Sequence, residues 1–479
     1  MGNVVRTLRT ASAQCDLSDP DADLDAEPEE LICPITRNMF RDPVMVVESG
    51  HTYERSAILS HFRRNGAKDP LTGLALSSKK VMTIWAVRQI VQAWLDKHPG
   101  VTPDGWDSRE LLEPSKGGGT RVFDDKGDVG VLRTWRDMCP ELQDEWPEDE
   151  PVEQWSGVTM DNGRVVVLKL QEFGLTGAVP AEVGRLSALR VLNLNDNQLT
   201  SLPAEIGQLT SLEGLYINYN QLTSVPAEIW QLTSLTHLNL SGNQLTSLPA
   251  EIGQLMSLRE LYLGKNQLTS VPAEIGQLTS LRQLDLNDNE LTSVPAEIGQ
   301  LTSLRELDLY GNQLTSLPAG FGQLTSLQRL VLHDNRLTSL PAEIWQLTSL
   351  REFNVGDNEL TSVPAEIGKL AALEELFLFN NDLTSLPAEI GQLTSLTLLD
   401  LKGNHLTSLP AEIGQLTSLQ KLWLSFNQLT SLPAEIGQLT SLEQLWLSHT
   451  QLTSVPAAVD ELRAAGCDVP TDVGVTVDE

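Results

Sequence analysis

The sequence predicts an α/β solenoid of about 13 stacked units, preceded by a small, separate α+β domain. Two patterns carry this expectation. Between residues 168 and 450 the unit LTSLPAEIGQLTSLxxLxLxxNQ returns every 23 residues. Residues 28–98 show no such period, and their short apolar runs are broken by turn residues. At 20% charged and 41% hydrophobic, the 479-residue chain has ordinary globular composition.

Taken from the start, residues 1–27 read as a disordered acidic leader, since positions 16–30 (DLSDPDADLDAEPEE) hold eight acids and no aromatic. The chain begins Met-Gly, yet Arg6 stands where N-myristoylation wants Ser or Thr. Residues 28–98 carry ten basic side chains against seven acidic ones and form the compact domain. Residues 99–128, with Pro103, Pro114 and the run Gly117-Gly118-Gly119, read as a linker. Residues 129–167 are expected to cap the solenoid at one end. Residues 451–479 are expected to supply a last amphipathic helix (PAAVDELRAAGCDV) and an acidic tail.

The repeat has a physical logic. In LxLxxN the two Leu of a short strand, Leu192 and Leu194 in the first full unit, point inward, and the residues between them point out. Leu199, Leu202, Ile206, Leu209 and Leu212 complete an apolar ring. Each such side chain is worth roughly 1.5–3 kcal/mol when buried. One unit cannot bury the ring alone, whereas stacked units share one core. The register is marked by Asn197 and its counterparts through Asn427, with Thr450 in the last place. A buried Asn at the turn can serve the bend with both its donor and its acceptor. The period and the LxxLxLxxN core resemble the leucine-rich repeat, and the units are similar to those of intracellular Ras-group plant-type proteins. The segments VLRTWRDMC, QWSGVTMDNGRVVVLKL and GLTGAVP resemble the plant-type N-terminal cap and first repeat. Secreted members carry cysteine pairs in this cap, but Met160 follows Gly157-Val158-Thr159 here.

In the first domain, Asp42-Pro43 and Gly50-His51 flank the apolar strand Val44–Val47, so 39–55 reads as a hairpin. Ser56–Arg63 reads as a helix with Ile58, Leu59 and Phe62 on one face. Asp69-Pro70 opens a second loop. The segment ELICPITRNMFRDPVMVVESGHTYERSAILSHF, with KDPLTGLAL and AVRQIVQAWL, resembles the U-box family along its whole length. One Cys and three His cannot supply the ligands of a zinc RING. The resemblance implies hydrogen bonds and ion pairs in place of metal, drawing on Thr52, Glu54 and Arg55. It also implies that the two loops form a groove for a ubiquitin-conjugating enzyme carrying ubiquitin, with Ile35 as the first-loop contact and Pro70 as the second. Two positions depart from the family pattern: Ile84 replaces an Asn before the last helix, and Gly73 stands where some members carry a basic residue.

Cys33 reads as a buried apolar residue, and Trp230 and Trp345, which replace Gly on the convex side, as structural. The concave column that changes from unit to unit has an acidic middle and an aromatic end. Asp285 and Asp308, joined from neighbouring columns by Glu306 and Asp334, are candidate contacts for a basic protein substrate. Phe377, Phe379, Trp423, Phe426 and Trp446 are candidate anchors.

The remaining composition narrows the function classes. With 64 acidic against 33 basic residues the formal charge is −31, which disfavours nucleic acid and anionic membrane as partners. No apolar run is long enough to span a bilayer. The four cysteines, without a CxxC, point to the cytoplasm or nucleus. No pattern calls for a metal or cofactor, and no nucleophile–base arrangement interrupts the repeats. The expected function is therefore ubiquitin ligation without a catalytic nucleophile, the repeats selecting the target. The alternative is a non-catalytic signalling scaffold.

Overall fold

The computed structural model describes residues 33, 43–46, 51–54, 57–58, 61, 64, 68–76, 81–83, 127–472 and 475–477. The chain divides into two compact units, residues 1–121 and 122–479. The acidic leader, most of the linker, Ile35, Ile84 and the segment AVRQIVQAWL, expected to hold the last helix of this domain, lie outside the described residues.

In the first unit, β1 (Pro43–Val46) is the centre of a three-stranded antiparallel sheet, flanked by β2 (Thr52–Glu54) and β3 (Val81–Thr83). The Val46 amide donates to the His51 carbonyl at 3.0 Å and closes the hairpin that the turn residues foretell. Ala57, Ile58, His61 and Arg64 are helical, and Cys33, Val46, Tyr53 and Ile58 are fully buried.

In the second unit, α1 (Asp128–Met138) and α2 (Pro140–Gln143) cover one end of the solenoid with three buried indoles. Trp146 and Trp155 stack at 5.0 Å, and each ring N–H finds a backbone carbonyl, on Ser156 and Pro147. Asp128, expected as the last linker residue, opens α1 and is buried. Its carboxylate accepts from Arg164 Nε at 3.1 Å and from the Val165 amide at 2.7 Å. It thereby holds the cap against an antiparallel hairpin, Val158–Asp161 with Arg164–Lys169.

From that hairpin runs a fourteen-stranded sheet, parallel in every pairing after the first. Beyond the hairpin its strands are three residues long and occur once per repeat, from Val191–Asn193 to Gln444–Trp446. The Asn ladder behaves as its chemistry requires. Asn289 Oδ1 accepts from the Leu268 amide of the preceding repeat at 3.0 Å. Its Nδ2 donates to the carbonyls of Leu263, Leu286 and Asn287 at 3.0–3.1 Å. One side chain thus satisfies backbone groups of its own and neighbouring turns, most of them buried.

The convex side is one 3-10 turn per repeat, Ala273–Gln277 for example, entered through Pro272. Adjacent turns approach so closely that a Cβ on Gly276 would sit 2.5 Å from the Glu297 carbonyl oxygen. Trp230 and Trp345 occupy this glycine column and are almost fully buried, as their structural reading requires. After each of them the turns pack less closely. Val225 and Leu340, in the same two repeats, are partly exposed where most of their counterparts are buried.

At the far end, α3 (Ala457–Ala464) follows the last repeat. The chain then turns back along the final strand: Leu445 N–H donates to the Asp468 carbonyl at 2.8 Å and Leu447 N–H to that of Pro470 at 3.0 Å. Asp472 accepts from the His449 and Thr450 amides at 2.9 and 3.2 Å. Asp468, expected within the last helix, lies beyond its end at Ala464, and with Pro470 and Asp472 of the expected acidic tail it occupies the hydrogen-bonding groups of an otherwise open edge strand.

Candidate functional sites

In the first unit the second loop is organised by one buried carboxylate, Asp69. Its Oδ1 accepts from the Leu71 amide at 3.0 Å, the Thr72 amide at 2.9 Å and the Thr72 hydroxyl at 3.1 Å. Its Oδ2 accepts from the Tyr53 hydroxyl at 3.0 Å and lies 3.2 Å from His51 Nδ1. Burial and the neighbouring carboxylate both raise the Tyr53 pKa, so the phenol stays protonated and donates. Gly73 closes the turn by donating to the Asp69 carbonyl at 2.8 Å, with φ at +69°. Held this way, the loop turns its apolar side chains outward: Leu71 is 55% and Leu74 67% exposed, beside half-buried Pro70.

In the second unit the concave sheet presents an Asn or Asp at the end of many strands, and the backbone explains why. Asn193, Asn239 and Asn354 each accept from the amide two residues on at 3.0–3.1 Å. Asp285, Asp308 and Asp400 do the same at 2.9–3.0 Å. Both residue types brace the turn after the strand; only Asp adds a charge. Burial resists that charge, pushing the Asp285 and Asp400 carboxyls up to about 6 and raising Asp308. Asp285 and Asp308 are in-register neighbours. Glu306 accepts from Gln283 Nε2 at 3.0 Å. Arg329 reaches Asp308 at 3.8 Å and Glu352 at 2.8 Å, placing a cation inside the acidic middle.

The aromatic residues form two groups. Trp423 and Trp446 stack at 4.9 Å, and Phe426 stacks on His449 at 4.3 Å with Lys402 Nζ 5.6 Å above its ring. Further along, Tyr310 stacks on His333 at 4.1 Å, and Phe379 lies 6.4 Å from His333, leaning across Gly356. Among the described residues no group of His, Cys, Asp or Glu is arranged to hold a metal ion, and no helix is long and apolar enough to cross a membrane.

A model of the leucine-rich repeat region matches residues 164–291, 272–381 and 365–464, well over half of the chain. The chain belongs to the leucine-rich-repeat family. A U-box domain model matches residues 27–100. That segment is similar to the E3 ubiquitin-protein ligase CHIP of Arabidopsis thaliana, 42% identical over 71 residues that make up 15% of this chain and 25% of that one. It is also similar to the Homo sapiens WD repeat, SAM and U-box domain-containing protein 1, 32% identical over 71 residues, 15% of each chain. These matches span a quarter of the curated relatives' length or less. The solenoid is similar to the Leptospira interrogans LRR protein LIC12759, with 42% identity, a TM-score of 0.54, and cover of 62% of this chain and 81% of that one. It also resembles the ectodomain of the Arabidopsis thaliana receptor kinase GASSHO1/SCHENGEN3, with 35% identity, a TM-score of 0.53, and cover of 66% and 41%.

In the U-box, Pro70 lies on the exposed second loop, while Ile35 falls outside the described residues. The polar frame among the described residues rests on Asp69, His51, Tyr53 and Thr72; Arg55 is not among them. The left-handed backbone at Gly73 accounts for the missing basic residue, since a side chain there would be strained. In the repeats, Phe377 stands between Asn354 and Asp400, so Asp400 separates it from Trp423. Asp334 and Phe426 sit in the turns beyond the strands, at φ +55° and +59°. Sequence reasoning missed Leu71, Leu74, Arg329 and the bracing role of the strand-end Asn and Asp. Leu71 and Leu74 were signalled by apolar residues inside a turn, and Arg329 by a cation set between Glu306 and Glu352 in its column.

Proposed function

We propose that the protein is a ubiquitin ligase acting in the cytoplasm or nucleus. Its U-box docks a ubiquitin-conjugating enzyme through Pro70, Leu71 and Leu74 together with Ile35, and its concave face holds the target. The observation that carries the reading is the second loop: a buried carboxylate fixes it so that two leucines face solvent. A U-box relative of this segment is named an E3 ubiquitin-protein ligase. The ligase supplies no nucleophile. It brings the ubiquitin thioester beside a lysine of the target, which is catalysis by proximity.

On the concave face, Trp423 and Trp446 are the anchor and the acidic middle steers a basic partner. Burial pushes Asp285 and Asp400 up to about 6 at positions where other repeats use Asn, so their charge is kept at a cost in stability. A charge retained in this way on the concave face is expected of a binding surface.

The test is autoubiquitination by the full chain with a panel of conjugating enzymes. Ile35→Ala and Leu74→Ser should each abolish chain formation and leave the U-box unfolding transition in place. A chelator should change nothing. Activity that survives both substitutions would remove the docking assignment. Wild-type protein that binds a conjugating enzyme and builds no chains with any of the panel would favour the scaffold reading, which the absence of a basic residue at Gly73 supports.

A further inference from the structure

The residue immediately before each concave strand forms a column of its own. In that column two arginines are neutralised by a carboxylate one repeat later: Arg190 lies 3.9 Å from Glu213, and Arg351 pairs with Glu374. Three consecutive repeats break the rule with Arg259, Arg282 and Arg305. Their backbones are in strict register, the Arg282 amide donating to the Arg259 carbonyl and the Arg305 amide to that of Arg282, both at 2.8 Å. Neighbouring strands lie about 4.8 Å apart, so the three side chains leave the backbone at that spacing. All three are exposed, and none has an ion-pair partner among the described residues.

The carboxylates next to them in sequence are committed elsewhere. Glu260 accepts from the Tyr262 hydroxyl at 3.1 Å and lies 3.4 Å from His237 Nε2, and Glu306 accepts from Gln283. Like charges stacked across a sheet repel one another, so the row costs the fold stability and returns no internal contact. It is a line of unpaired cations on a chain of formal charge −31.

We propose that Arg259, Arg282 and Arg305 form a docking rail for the acidic face of a partner helix. Carboxylates at helix positions i, i+4 and i+7 lie about 5–6 Å apart, close to the rail's own spacing. Each guanidinium can hold a carboxylate through two parallel hydrogen bonds. A nucleic-acid strand fits less well. Its charge is continuous, and Asp285 and Asp308 stand three residues beyond Arg282 and Arg305, where they would repel the phosphates that follow. The inference rests on the concave face being the target site and adds to it: the target presents an acidic helix edge beside its basic surface.

The test uses the full chain and a fluorescein-labelled, alanine-rich helical peptide with Glu at i, i+4 and i+7, followed by anisotropy at low and physiological salt. The acidic peptide should bind and its Gln counterpart should not. The triple variant Arg259→Gln, Arg282→Gln, Arg305→Gln should weaken binding at least about tenfold. Arg282→Lys, which keeps charge and loses the fork, should weaken it a few-fold. The paired variant Arg190→Gln, Arg351→Gln should leave it unchanged. Because like charges are removed, the triple variant should unfold at the same denaturant concentration as the wild type or higher. Absence of peptide binding, binding that ignores the triple variant, tighter binding of a polyuridine oligonucleotide, or a fall in the triple variant's stability would each overturn the proposal. Asp285→Asn with Asp308→Asn should leave the acidic peptide bound or tighten it, so failure of the rail and failure of the acidic middle are read separately.

Discussion

Asp400→Asn separates the two roles of the concave carboxylates. Asp400 stands in register between Phe377 and Trp423 and is 6% exposed. Burial raises its carboxyl from 3.8 to about 6, against the opposing pull of the Lys402 amide and ammonium. Its Oδ1 accepts from the Lys402 amide at 3.0 Å, a bond that Asn193, Asn239 and Asn354 make equally well. The substitution therefore keeps the brace and deletes the charge. A folded pKa above the unfolded one means that the native state favours the protonated form. That contribution is complete below the unfolded value near 3.8 and is lost as pH rises through about 6. Each pKa unit corresponds to about 1.4 kcal/mol, so a shift of about two units sets a ceiling of ~3 kcal/mol, and ~1–3 kcal/mol is expected after relaxation. Urea denaturation of the solenoid should show Asp400→Asn more stable than wild type by that amount at about pH 7.5 and indistinguishable from it at about pH 3.5. An equal gain at both pH values, or a loss at the higher one, would refute the argument.

Three other perturbations address the loop, the ladder and the anchor. Asp69→Ala should strip the Leu71 and Thr72 amides of their acceptor at a cost of ~2–4 kcal/mol, most of a small domain's margin, and abolish autoubiquitination together with the U-box calorimetric transition. Asn289→Ala should leave the Leu268 amide and the Leu263 and Leu286 carbonyls buried without that partner, lowering solenoid stability by ~2–4 kcal/mol in urea. Trp423→Ala with Trp446→Ala should release a captured target in a pull-down and move the solenoid's midpoint little, because the stacked rings lie on the concave surface outside the core. A large loss of stability in that pair would mean that the rings chiefly support each other.

The solenoid, its period and the inward faces of Leu192 and Leu194 can be read from the repeat alone. A single unit cannot bury its own ring, so every repeat restates the same solution and the pattern is legible without coordinates. The Asn ladder can be read there too, since a polar side chain recurring among leucines must serve the backbone around it. What lies between repeats depends on how the units stack. Residues 23 apart become neighbours there, and whether Arg351 finds Glu374 while Arg282 finds another arginine depends on side chains that no local window contains. The division of the aromatic residues by Asp400, and the return of residues 468–472 over the last strand, arise in the same way. In the U-box, motif resemblance points to Pro70, but the exposure of Leu71 and Leu74 follows from how Asp69 gathers the amides of a single turn. Burial and charge at these positions are properties of assembled neighbours, and neighbours in space are what folding supplies.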